Sequence, residues 1–292
     1  LKPAIKKILN ITGWFSAFLL LVVLFGFSKS RQKVQPYNGL KISIDRSNNN
    51  YFILEDDVKS TLKNLGFALS DSDYASQVDV RKIEDFLSDN PFVQKANVYT
   101  TINGVLKVEI SQRKPLLRVF NQKGESFYLD QFGKIMPLST SYSARVLVVN
   151  GTVSVDYYTL YKLSKNQEWN IDKFISQHLK QKSKSHNLSS SQLDSMKMID
   201  QYLDLYKMAT FITNDEFWNA QVSQLYVNQE NEFEVIPRVG NHEIIFGEAD
   251  NIPFKFEKLM VFYKKALPKT GWNEYSTINL KFKNQIVCTK IK

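Results

Sequence analysis

The segment from Asn90 to Pro115, NPFVQKANVYTTINGVLKVEISQRKP, contains the pattern that most constrains the fold of this chain. Alternating apolar and polar residues lie on both sides of an Asn-Gly pair, which predicts two antiparallel strands joined by a tight turn. A turn made of the Asn-Gly pair alone would place the apolar residues of the two strands on opposite faces. Pairing Ile102 with Leu106 places them on one face, so we predict a three-residue loop, Asn103–Val105, or a bulge.

One strand and two helices are predicted before this hairpin. The residues Leu40–Arg46 alternate between apolar and polar side chains, as in a half-buried strand. Asp56 begins a helix that Gly66 ends, and Asp79 is the N-cap of a second helix. The Asn-Pro pair at the start of the hairpin segment ends the second helix, because a residue before proline avoids the helical conformation. The predicted order is therefore β-α-α-β-β.

Beyond Pro115 the pattern changes to a strand-rich mixture with several helices. The predicted strands are Arg145–Asn150, Val222–Asn228, Glu232–Pro237, Glu243–Phe246, Thr277–Phe282 and Gln285–Lys290. We predict a Ser- and Lys-rich loop at Lys180–Ser191, after which Ser191 and Asp194 form a capping box at the start of a helix. The fold class is therefore α+β, with a mixed α/β domain and a mainly antiparallel sheet in the C-terminal part.

A membrane segment is predicted near the N-terminus, because no residue from Ile8 to Phe27 is charged. As a helix this run spans roughly 30 Å, the thickness of the hydrocarbon core of a bilayer. We expect a single-pass transmembrane helix at residues 8–27, a cytoplasmic tail at residues 1–7, a linker at residues 28–38 and the remaining chain outside the cytoplasm. A cleaved signal peptide is the alternative, since Gly26-Phe27-Ser28 is a weak cleavage site.

No constellation of catalytic or metal-ligating residues is evident. The histidines His178, His186 and His242 are scattered, so we expect surface or capping roles for them, and the single cysteine excludes an internal disulfide. Asp130 precedes a turn, which favours an Asx-type bond to the backbone over a role as a base. The absence of such motifs favours binding over catalysis, and we expect no cofactor, no metal and no small-molecule substrate.

The net charge of +9 is compatible with nucleic acid or with an anionic surface. Only Lys180–His186 is locally dense in basic residues, and its Ser- and Asn-rich surroundings favour a solvated loop over a phosphate-binding patch. We predict no nucleic-acid partner.

The hairpin segment also carries a run of residue types that resembles a known family. The matching residues are Pro91, Val93, Ala96, Val98, Leu106, Val108, Ile110, Lys114 and Pro115. Further on, YLDQFGKIMPL at Tyr128–Leu138 and the C-terminal segments IIFGE, INLKF and NQIVCTK follow in the same order. Over almost its whole length the chain resembles the FtsQ/DivIB family of bacterial cell-division proteins. It departs from the family at Asn103, where proline is frequent, at Gln112, where glutamate is common, and at an apparent insertion, Ser164–Gln192.

The resemblance implies a POTRA domain at residues 39–116 and an FtsQ-type β domain at residues 117–292. It implies a non-enzymatic scaffold of the division complex in the inner membrane. Such a scaffold binds FtsB- and FtsL-like bitopic proteins through its periplasmic β domain and helps to control septal peptidoglycan synthesis. A terminal strand offers backbone groups to an incoming strand. The candidate contact residues are Phe282, Ile286, Val287, Cys288, Thr289 and Lys290.

Two other classes of function remain open at this point. One is a membrane-anchored periplasmic cell-wall enzyme, which the lack of a catalytic constellation disfavours. The other is a POTRA-bearing assembly or transport factor, which predicts further POTRA repeats or a barrel; neither is visible in the sequence.

Overall fold

The structure, a computed structural model, describes residues 12–23, 37–46, 49–67, 78–165, 169–184 and 189–291. The chain divides into two compact units, the first ending at Gln112 and the second beginning at Arg113. Helices and strands occur in both units, so the chain has the mixed α+β architecture that the sequence predicts.

Residues 12–23 form the first helix, α1. The predicted transmembrane segment extends on both sides of α1, and its residues 8–11 and 24–27 lie outside the described part of the chain. Among the residues that the structure describes, no helix has both the length and the apolar character of a membrane span.

The first unit contains a three-stranded sheet and two helices in the predicted order β-α-α-β-β. The elements are β1 (Leu40–Asp45), α2 (Glu55–Asn64), α3 (Val80–Ser88), β2 (Val93–Thr100) and β3 (Leu106–Gln112). The central strand β3 pairs in parallel with β1 and antiparallel with β2. Gly66 has a positive φ just after α2, and the Asp79 carboxylate accepts a hydrogen bond from the backbone N–H of Lys82, as the sequence predicts for these helix ends.

The β2–β3 hairpin has a loop of the predicted length but a different register. Val98 pairs with Val108 and Thr100 with Leu106, so each apolar set lies on the predicted face. Two backbone groups, the N–H of Thr101 and the carbonyl of Val105, close the loop at 2.9 Å. The loop is therefore Ile102-Asn103-Gly104, and the predicted pairing of Ile102 with Leu106 is wrong by two residues. Gly104 adopts φ 78°, the left-handed conformation that closes three-residue hairpins.

The side chain of Gln112 holds the end of β3 to the loop that follows β1. Its Nε2 donates to the carbonyl oxygens of Asp45 and Asn50 at 3.1 and 2.9 Å, and its Oε1 accepts from the N–H of Ile53 at 3.1 Å. A carboxylate has no N–H to donate to these two carbonyls. The bonds at this buried position therefore suit glutamine and not the glutamate expected from the resemblance.

The second unit is built on a nine-stranded mixed sheet in the order β12-β11-β10-β9-β8-β7-β4-β5-β6. The strands are β4 (Pro115–Phe120), β5 (Ser126–Asp130), β6 (Ile135–Met136), β7 (Leu147–Gly151), β8 (Val222–Val227), β9 (Phe233–Pro237), β10 (Glu243–Gly247), β11 (Tyr275–Asn279) and β12 (Val287–Lys290). The helices are α4 (Tyr157–Ser164), α5 (Ile171–Lys184), α6 (Ser190–Asn214), α7 (Glu216–Gln221), α8 (Ile252–Lys265) and α9 (Leu267–Thr270).

Antiparallel pairs predominate in this sheet, and parallel pairs join β4 to β7, β7 to β8 and β10 to β11. Helices α6 and α8 bury apolar side chains such as Leu205 and Phe256 in one continuous core with the strands.

The segment predicted as a loop before α6 is partly helical. Helix α5 continues to Lys184, and residues 185–188 lie outside the described part of the chain. The capping box of α6 uses Ser189 and Gln192 in place of the predicted Ser191 and Asp194. Both pairs have the spacing of a capping box, so local pattern alone does not choose between them.

Candidate partner-binding site

The C-terminal strand β12 lies at one edge of the nine-stranded sheet. It pairs antiparallel with β11, through Ile278 with Cys288 and Asn279 with Val287. No other described strand pairs with β12, so one of its sides is an edge. An edge strand presents backbone N–H and C=O groups to which a further strand can be added.

Four of the six predicted contact residues form β12, and the other two lie in the loop before it. Val287 is 42% exposed and Phe282 is 46% exposed, so both present apolar surface to solvent. Ile286 and Cys288 are half-buried and pack against the core. Phe282 was predicted as the last residue of a strand, but β11 ends at Asn279 and Phe282 lies in the loop.

The two remaining predicted residues, Thr289 and Lys290, are exposed. The hydroxyl of Thr289 lies 2.9 Å from that of Thr277 on β11, which ties the strand to its neighbour. Burial raises the pKa of the Cys288 thiol, which favours the protonated form and disfavours a nucleophilic role.

Lys258 on α8 fixes the loop that leads into β12. Its ammonium group donates to the backbone carbonyls of Leu280, Phe282 and Gln285 at 2.9, 2.5 and 3.4 Å. An ammonium group has three donors and no acceptor, so three carbonyls match its bonding capacity. Burial, and then the charge of Lys255, lower the pKa of Lys258.

An open groove of ≈ 610 Å³ lies between α8 and the loop before β12. Its apolar lining includes Phe254, Val261, Phe262 and Ile286. Its charged lining consists of Glu257, Lys258, Lys265 and Lys283. The groove therefore combines exposed apolar surface with an excess of positive charge beside the edge strand.

The α8 side of this groove was not predicted from the sequence. Phe254 and Val261 are 49% and 48% exposed, and they lie seven residues apart on a helix whose buried residues include Phe256 and Leu259. A second apolar stripe outside the core-facing stripe was the signal that could have identified them.

A family model described as FtsQ/DivIB, C-terminal related, matches residues 114–289, more than half of the chain. The chain belongs to the FtsQ/DivIB family. A second model, for a POTRA-like domain, matches residues 37–111. No curated protein matches the chain significantly. The resemblance noted from the sequence is thus confirmed, and for this FtsQ/DivIB protein the family points to a role as a cell-division scaffold.

Asp130, the acid of the segment YLDQFGKIMPL, has a structural role in this chain. One carboxylate oxygen accepts from the N–H groups of Phe132 and Lys134 at 2.8 and 2.7 Å, and the other accepts from Arg113 at 2.9 Å. The Asx-type bond predicted for Asp130 is therefore confirmed. Burial raises the pKa of Asp130 against the opposing effect of Arg113. Among the described residues no group of His, Cys, Asp and Glu side chains could hold a metal ion.

Two histidines for which surface or capping roles were predicted are buried side chains that contact other elements. His178 lies 2.8 Å from Asp200, and His242 lies 2.9 Å from the hydroxyl of Tyr263. His178 follows Ile171 by seven residues, so it continues the buried stripe of α5. The third, His186, lies outside the described residues.

We expect the second unit of the chain to become less stable in mild acid because of His242. Burial lowers the pKa of His242, so folding favours its neutral form. The contribution of neutral His242 to the free energy of unfolding is fully present above the pKa of an unfolded histidine, about 6.5. It is lost as the pH falls from there toward the lower pKa of the folded state. Urea unfolding should show that the free energy of unfolding falls more steeply from pH 8 to pH 5 for the natural chain than for the His242→Gln variant. Parallel curves for the two proteins would contradict this assignment.

Proposed function

We propose that the chain is a non-enzymatic, bitopic scaffold of the bacterial division complex. In this proposal residues 8–27 span the inner membrane, residues 1–7 are cytoplasmic and the rest of the chain is periplasmic, with a POTRA domain at residues 39–116 and a β domain at residues 117–292. Its role is to bind FtsB- and FtsL-like bitopic proteins and to help control septal peptidoglycan synthesis. Membership of the FtsQ/DivIB family supports the scaffold role.

The observation that carries the proposal is the edge strand β12 with its adjoining groove. Addition of a partner strand to β12 would satisfy backbone groups on its outer side. The exposed side chains of Phe282 and Val287 would then be covered, and such apolar burial supplies most of the binding energy of a small interface.

The charge of the groove defines the chemistry of the partner segment. Three lysines and one glutamate line it, so the groove favours a partner with acidic side chains beside its apolar contacts. We therefore propose an extended segment with apolar residues on one face and carboxylates next to Lys265 and Lys283.

Replacing Val287 by aspartate should lower capture of the FtsB-like partner by roughly tenfold or more, since burial of one aliphatic side chain contributes about 1.5–3 kcal/mol. The side chain is 42% exposed, so the fold should survive the change. Affinity is measured by co-purification and titration of the full chain with the partner in detergent. Val239→Asp is the matched control, because this valine is 53% exposed and lies outside β12.

Unchanged capture by the Val287→Asp variant would place the interface elsewhere on the protein. The cellular role is tested separately with a depletion strain, in which we expect filamentous cells with unconstricted septa. Normal septation after depletion would contradict the division role itself. Release of muropeptides from cell wall by the purified chain from Ser28 to Lys292 would favour the enzyme alternative.

A further inference from the structure

The start of the first unit is fixed beside the β2–β3 hairpin loop. Tyr37 is buried, and the backbone N–H and side-chain Nδ2 of Asn38 donate to the carbonyls of Gly104 and Asn103 at 2.9 and 2.7 Å. The N–H of Leu106 donates to the carbonyl of Gly39 at 2.9 Å. The chain therefore enters the unit at the hairpin end of the sheet.

This entry point favours the hairpin end as the end of the first unit nearer a membrane anchor, and here the argument rests on the proposed span at residues 8–27. Only residues 28–36 separate that span from Tyr37, a reach of at most about 30 Å. Strand β1 runs from Leu40, opposite Leu106, to Asp45, opposite Ser111, which places the other end of the sheet roughly 17 Å further along the strands.

The hairpin end carries the side chains that membrane-surface contacts use. Ile102 lies in the three-residue loop and is 88% exposed, the largest exposed fraction among the large apolar residues described. Tyr99 is exposed, and the Lys107 ammonium lies 5.6 Å from the centre of its ring. Lys41 is exposed and pairs with Lys107 in the β1–β3 register.

An apolar tip with an adjacent tyrosine and two lysines matches the chemistry of a bilayer interface. Isoleucine enters the acyl boundary, tyrosine lies at the headgroup level, and lysine attracts anionic phosphate. Of the two acids on the same face of these strands, Asp45 lies at the far end, opposite Ser111. Glu109 lies nearer the hairpin end, and its carboxylate accepts a hydrogen bond from the Tyr99 hydroxyl at 2.8 Å. Two lysines against this one carboxylate leave an excess of positive charge at the hairpin end.

We propose that the hairpin end, defined by Lys41, Tyr99, Ile102 and Lys107, docks on the surface of the anionic bilayer that holds the N-terminal segment. The docked hairpin fixes the orientation of the first unit on the membrane. Because the chain is already tethered, a weak contact suffices, since tethering raises the effective concentration of the surface.

The test uses the full chain in vesicles of mixed zwitterionic and anionic phospholipid that contain nitroxide-labelled lipid. The single cysteine is first removed as Cys288→Ser, and a fluorophore is attached at Asn103→Cys in the loop or at Gln94→Cys near the other end of β2. We expect quenching by nitroxide lipid at position 103 and little at position 94. Omitting the anionic lipid should reduce the quenching at position 103.

Ile102→Ser should lower the ratio of docked to undocked hairpin by roughly tenfold, the value of one buried aliphatic side chain. The control is Phe86→Ser on α3, which removes another exposed apolar residue of the same unit and should leave the quenching unchanged. Equal quenching at the two labelled positions, or no response to Ile102→Ser, would overturn the proposal. Flotation with the vesicles reports the anchor independently: a chain that fails to float contradicts the proposed span, whereas a floating chain without quenching contradicts only the docking.

Discussion

Replacing Arg113 by methionine should lower the free energy of unfolding of the second unit by about 3–5 kcal/mol, the cost of leaving a buried charge without its partner. The side chain of Arg113 is 12% exposed and that of Asp130 is fully buried. The carboxylate also holds the β5–β6 turn through its two backbone hydrogen bonds. The remaining N–H donors keep the turn in place but do not neutralise the charge.

Urea unfolding of a chain that begins at Ser28 measures this effect. Trp169, Trp218 and Trp272 all belong to the second unit, so their fluorescence reports that unit alone. The pH provides an internal check. Loss of the cation raises the pKa of Asp130 further, and a group with a raised folded-state pKa stabilises the fold as the pH falls. The difference in free energy of unfolding between the Arg113→Met variant and the natural chain should therefore be smaller at pH 5 than at pH 7.

The matched control is Lys123→Met, which breaks the ion pair of Lys123 with Asp156 in the same unit. The Lys123 side chain is 65% exposed, and a solvent-exposed ion pair contributes little to stability, so we expect a small loss. An equal loss of free energy of unfolding in the two variants would contradict the claim that the burial of Asp130 makes the loss of its partner costly.

Replacing Gly151 by alanine should lower the free energy of unfolding of the second unit by about 2–5 kcal/mol, the second large effect that we expect. Gly151 ends β7 with φ 96°, and a Cβ atom there would lie 2.2 Å from the carbonyl oxygen of Val227 on β8. A left-handed conformation costs a non-glycine residue about 1–2 kcal/mol, and forced overpacking adds about 1–3 kcal/mol. The neighbour is backbone in a sheet, so it cannot move aside as a flexible side chain would.

Gly124→Ala separates the two contributions. Gly124 has φ 79°, but a Cβ atom at this position would have nothing within 4 Å. We expect the same urea experiment to show only the conformational cost of about 1–2 kcal/mol for this control. Equal losses for the two alanine variants would mean that β7 and β8 separate without cost at Gly151, contrary to the close approach in the structure.

The sequence predicts the first unit well because its signals are local. The faces of β2 and β3 follow from the alternation of side chains, and Gly66 and Asp79 mark helix ends through their own chemistry. The predicted hairpin register was wrong by two residues. Closing the hairpin with the pair Thr101 and Val105, or with the pair Ile102 and Leu106, places the apolar side chains on the same faces and leaves a loop of the same length. The difference between them is the left-handed Gly104, which a face-matching argument does not use.

The second unit and its candidate site were less predictable because they depend on contacts distant in sequence. The pairing of β7 with both β4 and β8 joins segments separated by long connections. The burial of His242 against Tyr263 has no local signal. The strand at Gln285–Lys290 was predicted from its residue pattern, whereas its partner-binding role was implied by the family resemblance. The contribution of α8 to the groove became evident only when the exposure of Phe254 and Val261 was known.

The contacts of Lys258 with three backbone carbonyls affect the entropy cost of the partner binding that we propose. A segment that orders only on association pays its conformational entropy at that step, which weakens affinity. Here the loop from Leu280 to Gln285 is tied to α8 in the unbound chain. The entropy of ordering this loop is thus lost during folding, so a partner strand that added to β12, as we propose, would meet a loop that is already preorganised.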